Sequence, residues 1–398
     1  MSRHFAFVPL AAHGHVNPTL ALAAELSTRG HRVTYATSAA LAPAVRRVGA
    51  GVVEMPWQPE LSALAGRGYT ADHMIAMMDH GVTELEATFS ALVAAFRDDP
   101  PDCVCFDLMG LPGRALADRL AVPGVALAPN LVGNAHFSLS SLLWPADLKP
   151  TDPRLGRIGR RLGSFAAAHG LRPESVQPVA ARLPLHLVFH PREFQIAGGT
   201  FGAAFRFLGP TPSPYAETGS WQPPADRPVL LISLGTVVNN RPDILRLCVE
   251  AFADSPWHVV MATGRSGSPG PLPVNVEAHR TVPQMAVLQH AAAFVSHTGM
   301  GSTMESIWSG VPLISVPQTP EQALNGRRAA ELGLGIALDT ETMTAATLRT
   351  AVDTVTADPR IRAELDRWRD RLRAADGARQ GAQALENLLC STTGKGSR

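Results

Sequence analysis

A buried strand, a loop, a helix and a second buried strand, in that order, commit a chain to a parallel sheet, because a parallel pair needs a crossover long enough to hold a helix. This sequence makes that commitment twice. Residues 5–10 form an apolar run, TLALAAELSTRG reads as a helix closed by Gly30, and residues 32–37 form the next run. Asn17 is placed to cap that helix, with Pro18 at its first position. Strands over 103–108 and 125–128 follow, with a helix over 113–120 between them. Residues 60–97 read as helical and apolar, and 131–185 as irregular with helical stretches. Near residue 209 the composition changes to GPTPSPYAETGSWQPPADRP, a linker rich in proline, glycine and polar residues. The alternation then restarts. Strands are predicted over 229–234, 258–262, 274–278, 293–296 and 311–316, and helices near 241–253 and over 303–308, 358–375 and 377–390. The fold class is therefore α/β, with two Rossmann-like domains over 1–208 and 229–375, a linker at 209–228, and a last helix and tail over 376–398. Such sheets bind ligands at the C-terminal ends of their strands, so a central cleft faced by both domains is the expected site.

Bulk properties exclude several classes. A chain of 398 residues is longer than one core usually supports. The formal net charge of +1 gives no broad basic field, so no nucleic-acid partner is expected. No apolar run reaches the roughly 18 residues of a membrane span, and the N-terminal stretch is too short and too polar for a leader, so no membrane insertion is expected. Cys103 and Cys105 stand two apart on one strand with parallel side chains, a poor geometry for a disulfide. Buried thiols in a reducing, cytoplasmic setting are the simpler reading.

Four constellations carry chemistry. His13-Gly14-His15-Val16-Asn17-Pro18 follows the first strand, and His15 has the free pKa range of a general base. Asp107 ends the strand CVCFD, where a carboxylate needs a donor; a ring nitrogen of His15 would supply one and fix the tautomer. HTGMGSTME, residues 297–305, joins a strand to a helix, and the free N–H groups at such a start attract an anion such as a diphosphate. Val311 to Pro317 delivers Glu321 and Gln322 to the same side, able to bind sugar hydroxyls or, more simply, to open a capped helix at Pro320. No cluster of carboxylates suggests a divalent metal.

HGHVNP, SLGT at 233–236, VPQ at 282–284, HTGMGSTMES and GVPLISVPQTPEQ together resemble the macrolide and natural-product glycosyltransferases of bacteria, relatives of the plant and animal UDP-glycosyltransferases. The resemblance runs over most of the chain and is strongest from 229 to 337. It implies the GT-B fold, with the acceptor in the first domain, the donor in the second, and a last helix that crosses back to the first. His15 then matches the catalytic base and Asp107 the aspartate that orients it. Ser233 and Gly235 match the turn below the phosphates, and His297, Gly299, Gly301, Ser302 and Thr303 the diphosphate site. Glu305 matches the glutamate that holds the ribose, Thr281, Val282 and Gln284 the nucleoside stretch, and Glu321 and Gln322 the sugar-reading pair. Many relatives have a stacking tryptophan where this chain has Thr281, which leaves both a uridine and a thymidine donor open. Met74, Met78, Met109, Phe137 and Trp144 are the candidate acceptor-binding residues, although the helical spacing of Met74 and Met78 also fits a packed core. The implied reaction moves a sugar from a nucleotide-sugar donor to a hydroxyl of a small, largely apolar acceptor, with inversion, no cofactor and no metal. A nucleotide-sugar epimerase and a non-catalytic helper of the same fold are the alternatives.

Overall fold

The computed structural model describes residues 2–57, 69–177, 183–212, 219–235 and 241–393. Thr236 of the SLGT turn, the centre of the linker, the beginning of the predicted 60–97 helix and the end of the tail lie outside them. The chain divides into two compact units. One holds the described residues up to 212 and from 376 on, and the other holds those from 219 to 375.

The first unit is a seven-stranded parallel sheet. Its strands are β1 (His4–Val8), β2 (Arg32–Thr37), β3 (Gly51–Glu54), β4 (Cys103–Asp107), β5 (Gly124–Ala128), β6 (His186–Val188) and β7 (Phe205–Phe207), in spatial order 3-2-1-4-5-6-7. The helices are α1 (His13–Thr28), α2 (Ala42–Arg47), α3 (Ala71–Ala95), α4 (Leu111–Arg119), α5 (Leu139–Leu142) and α6 (Pro153–His169). Strand order reverses between β1 and β4, so the loops leaving those two strands flank the switch point.

Side-chain alternation splits the core across this sheet. Phe5, Phe7, Cys103 and Cys105 face one way, onto Leu20 and Leu26 of α1. Ala6, Val8, Val104 and Phe106 face the other. The two thiols are thus core residues, and burial pushes that of Cys105 well above its ordinary value. Gly113 lets α4 lie directly on the sheet: a Cβ there would stand 2.4 Å from the Cβ of Phe106. The final helix, Gly377–Thr393, packs on α1 and β7 of this same unit. Ala382, Leu385 and Leu389 enter the core beside Leu22, and Glu386 takes hydrogen bonds from Arg29 and His31, both at 2.9 Å.

The second unit is a six-stranded parallel sheet of β8 (Val229–Ser233), β9 (His258–Ala262), β10 (Val276–His279), β11 (Ala291–Ser296), β12 (Leu313–Ser315) and β13 (Gly335–Ala337), in order 10-9-8-11-12-13. Its helices are α7 (Pro242–Phe252), α8 (Gln284–Leu288), α9 (Met300–Ser309), α10 (Pro320–Glu331), α11 (Ala345–Ala357) and α12 (Pro359–Ala374), so the final helix is α13. Here the switch point lies between β8 and β11.

Two expectations need correction. The helix after β1 starts at His13, not at Pro18, with Ala12 as its uncapped N-cap. Val16 N–H already donates to Ala12 O at 3.0 Å. Pro18 is tolerated at the sixth position because the carbonyl it leaves without a donor belongs to exposed Gly14, which water can reach. Val274 does not begin a strand; it is fully exposed, and pairing starts at Val276. The 131–185 stretch has the helical content expected of it: α6 runs for 17 residues from a cap at Asp152, whose side chain takes the Arg154 N–H.

Candidate active site

Asp107 is the last residue of β4 and is 1% exposed. A carboxylate buried that far must find donors, and it finds two. His15 Nδ1 lies 2.6 Å from Oδ2, and Met109 N–H donates to Oδ1 at 2.9 Å. The Met109 contact is short-range and tight, because Gly110 N–H turns back onto Asp107 O at 2.9 Å. His15 stands in the first turn of α1, so a helix rather than a loop aims it. With Nδ1–H donated to the carboxylate, Nε2 carries the lone pair, the arrangement a general base needs. The same end of the sheet presents Met109, whose side chain is 59% exposed. A shallow hollow of about 720 Å³ opens among Arg3, His4, Arg32 and Asp102, at the other end of these strands, and no expected site residue lines it.

The second unit places a different histidine at its switch point. His297 follows β11, and its N–H donates to Ser233 O at the end of β8, at 3.4 Å. Its ring is clasped between two glycines: a Cβ on Gly235 or on Gly299 would each stand 2.6 Å from Nε2. Gly235 also has φ 86°, open to glycine. Burial pushes the His297 pKa down to about 4, against a smaller opposing pull from the Ser233 carbonyl, so the ring is neutral near pH 7. Its Nδ1 is buried without a hydrogen-bond partner. Below the ring, Thr298 is fully buried at φ 57°, a left-handed conformation that costs a β-branched residue ~1–3 kcal/mol. Hydrogen bonds hold it there. Its N–H donates to Ser296 Oγ (3.0 Å), its hydroxyl donates to Gln322 O (2.9 Å) and lies 2.7 Å from Ser315 Oγ, and its carbonyl accepts from Asn325 Nδ2 (3.2 Å). Neither Thr298 nor Asn325 was singled out by sequence reasoning, since no local pattern marks a left-handed threonine.

No side chain caps the start of α9 at Gly299, and a Cβ on Gly301 would meet only open space. That combination of exposed N–H groups and small residues suits an anion. Gln284, the first residue of α8, donates through Nε2 to Glu305 Oε2 at 2.6 Å and to Ser302 Oγ at 3.2 Å. Three expected donor residues are thereby brought together. Thr303 is placed differently: it is fully buried, and its hydroxyl donates to Gly299 O at 3.1 Å, stiffening the turn. Thr281 is exposed and Val282 half-buried. Glu321 and Gln322 sit in the first turn of α10. Gln322 N–H donates to the N-cap hydroxyl of Thr319 at 3.3 Å, and its Oε1 takes the Gln318 N–H at 2.8 Å, so the backbone N–H and the amide oxygen of Gln322 belong to the capped turn. Glu321 Oε1 lies 3.5 Å from Asn325 Nδ2.

The expected acceptor residues do not form one wall. Met74, Met78 and Trp144 share an apolar cluster with Leu148, where Met74 is 9% exposed and the Trp144 indole N–H donates to Leu148 O at 2.6 Å. Phe137 is buried in a turn tied by Asn134, and Met109 alone of the five is widely exposed. Among the described residues, no helix is long and apolar enough to cross a membrane, and no group of three or more His, Cys, Asp or Glu could hold a metal ion.

A family model described as UDP-glucoronosyl and UDP-glucosyl transferase matches residues 209–367. The chain is 34% identical to NDP-glycosyltransferase YjiC of Bacillus licheniformis, over 97% of this chain and 98% of that protein. It is 37% identical to demethyllactenocin mycarosyltransferase of Streptomyces fradiae, over 97% of this chain and 86% of that one. Among solved structures, the calicheamicin glycosyltransferase CalG4 matches with a TM-score of 0.81 at 36% identity, covering 98% of this chain and 99% of the other. With likeness of this extent added to the two doubly wound sheets, the chain belongs to the UDP-glycosyltransferase family and is a glycosyltransferase of the GT-B fold, akin to the bacterial natural-product enzymes.

Proposed function

We propose that this enzyme transfers a hexose from a UDP- or dTDP-sugar to a hydroxyl of a small, largely apolar acceptor, inverting the anomeric carbon, with His15 as general base. The observation that carries the reading is the 2.6 Å contact between His15 Nδ1 and the buried Asp107 carboxylate. His15 Nε2 takes the acceptor proton as the oxygen attacks the anomeric carbon. The new C–O bond forms as the bond from that carbon to the diphosphate oxygen breaks, and Asp107 stabilises the imidazolium. The leaving nucleoside diphosphate is met by the uncapped start of α9 and by the neutral His297 ring, preorganised dipoles that call on no metal ion. Gln284 and Glu305 hold the nucleoside, and Glu321 and Gln322 the sugar. Met109, beside the dyad, contacts the acceptor.

The test combines product analysis with one variant. Proton NMR of the glycoside should show the anomeric configuration opposite to that of the donor sugar. His15→Ala should lower the transfer rate by about 10²–10⁴-fold while the nucleoside diphosphate still raises the melting midpoint. Retained configuration, or near-normal turnover in His15→Ala, rules the mechanism out. A thermal-shift panel of UDP, TDP and GDP identifies the base; no shift with any of them rules out the donor site.

A further inference from the structure

The stretch assigned to the nucleoside, residues 281–284, contains no aromatic residue, and its support comes from the segment by which the chain enters the second unit. Gly219 has φ 141°, and a Cβ there would stand 3.3 Å from Pro283 Cβ. Two residues on, the Trp221 indole N–H donates to Glu277 Oε1 at 2.8 Å. Glu277 lies on β10, the edge strand of its sheet. Its carboxylate also sits 3.2 Å from His258 Nε2 through Oε1 and 3.2 Å from His279 Nε2 through Oε2. The indole lies 6.1 Å from the rings of both His258 and His290. Downstream, Thr263 N–H holds His279 O at 2.8 Å and Gly264 N–H holds Arg280 O at 3.0 Å. The chain then passes through Thr281, Val282 and Pro283 directly into Gln284, whose amide reaches Ser302 and Glu305.

We propose that Trp221 is a positioning residue of the donor site. By gripping Glu277 and setting Gly219 against Pro283, it fixes the 281–283 turn from behind and so decides where the Gln284 amide stands. The ligand part under its control is the nucleoside. The His297 ring and the N–H groups at the α9 start are built on β11 and α9, which Trp221 does not grip; Ser302 meets Gln284 through its hydroxyl alone, at 3.2 Å. The inference rests on the donor-site reading above. A purely structural role, capping the open edge of β10, would lower stability without separating nucleoside affinity from diphosphate affinity.

Calorimetric titration of the full chain with UDP, TDP and inorganic pyrophosphate makes that separation. Trp221→Phe keeps an aromatic ring and loses the N–H; Gly219→Ala keeps the indole and pushes on Pro283. Each should weaken the preferred nucleoside diphosphate about fivefold, the size of one lost hydrogen bond, and leave pyrophosphate affinity within about twofold. In turnover, donor KM should rise in the same proportion while kcat holds. Equal losses for both ligands, or no loss for either, overturn the proposal. Wild-type protein that binds pyrophosphate but neither nucleotide overturns the donor-site reading itself, and the proposal with it. Trp221→Ala adds a larger perturbation; should it fail to fold, the other two variants, checked by melting midpoint, still decide.

Discussion

The two sheets share one winding, and each sets a histidine beside its switch point, yet the surroundings of those histidines are opposite. His15 faces a buried carboxylate at 2.6 Å, while His297 faces two glycines and a backbone carbonyl and is held neutral by burial. A partner of opposite charge stabilises the protonated ring; desolvation without such a partner destabilises it. The first arrangement suits a group that must accept a proton during each turnover. The second suits a group that must stay uncharged and donate a hydrogen bond. In the proposed mechanism one residue type thus serves as base or as fixed dipole according to its neighbours.

The comparison breaks most sharply at Asp107→Asn. The Met109 N–H requires an acceptor and will hold the amide oxygen, which turns the amide NH2 toward His15 Nδ1. That favours the tautomer with the proton on Nε2, useless as a base. Transfer should fall by about 10²–10⁴-fold with nucleotide affinity unchanged, measurable by single-turnover assay and calorimetry. An activity near wild type would mean that the carboxylate does not set the tautomer.

Gly299→Ala tests the other histidine. The added Cβ meets Nε2 at 2.6 Å and must displace the ring. Diphosphate affinity should drop about 10- to 100-fold, the scale of one hydrogen bond to a charged group, with the pH profile of kcat unmoved. A shifted profile would make His297 part of the proton path and erase the distinction.

Core and surface methionines give a smaller contrast. Met74→Ala should cost about 2–3 kcal/mol of stability by leaving a cavity. Met109→Ala should change stability by less than about 0.5 kcal/mol while raising acceptor KM. Urea denaturation and acceptor titration separate them; equal stability losses would mean that Met109 packs in the core.

Acid should sharpen the picture further. His186 and His190 are buried in the first unit, and burial pushes both pKa values down to about 4, as for His297. Their folded values lie below the ordinary 6.5, so the unfolded chain takes up protons first. Stability is therefore complete above pH 6.5 and is lost as the pH falls toward 4, by at most about 1.4 kcal/mol per pH unit for each histidine. His190→Gln should flatten the slope of urea midpoint against pH between 6.5 and 4. An unchanged slope would show that His190 is not held neutral.

Much of this is legible in the sequence. The long alternating segments identified both sheets, and strand ends located His15, Asp107 and the 297–305 turn. Short elements escaped: β6, β7 and β13 have three residues each, too few to show a period, whereas the equally short β12 lies inside a longer apolar run. The start of α1 was misread because Asn17-Pro18 is a strong local signal for a helix start, and tertiary placement of His13 to His15 overrode it.

The sequence by itself determined the two α/β halves, the family, and the residue types available at each strand end, because periodicity and motif spacing are local properties of the chain. Only the tertiary structure decided which of those residues meet. His15 and Asp107 are separated by 92 positions, Gln284 and Glu305 by 21, and Gly235 and His297 by 62. Contacts at such separations depend on how strands order in the sheet, and that order rests on non-local pairings that no short stretch of sequence encodes.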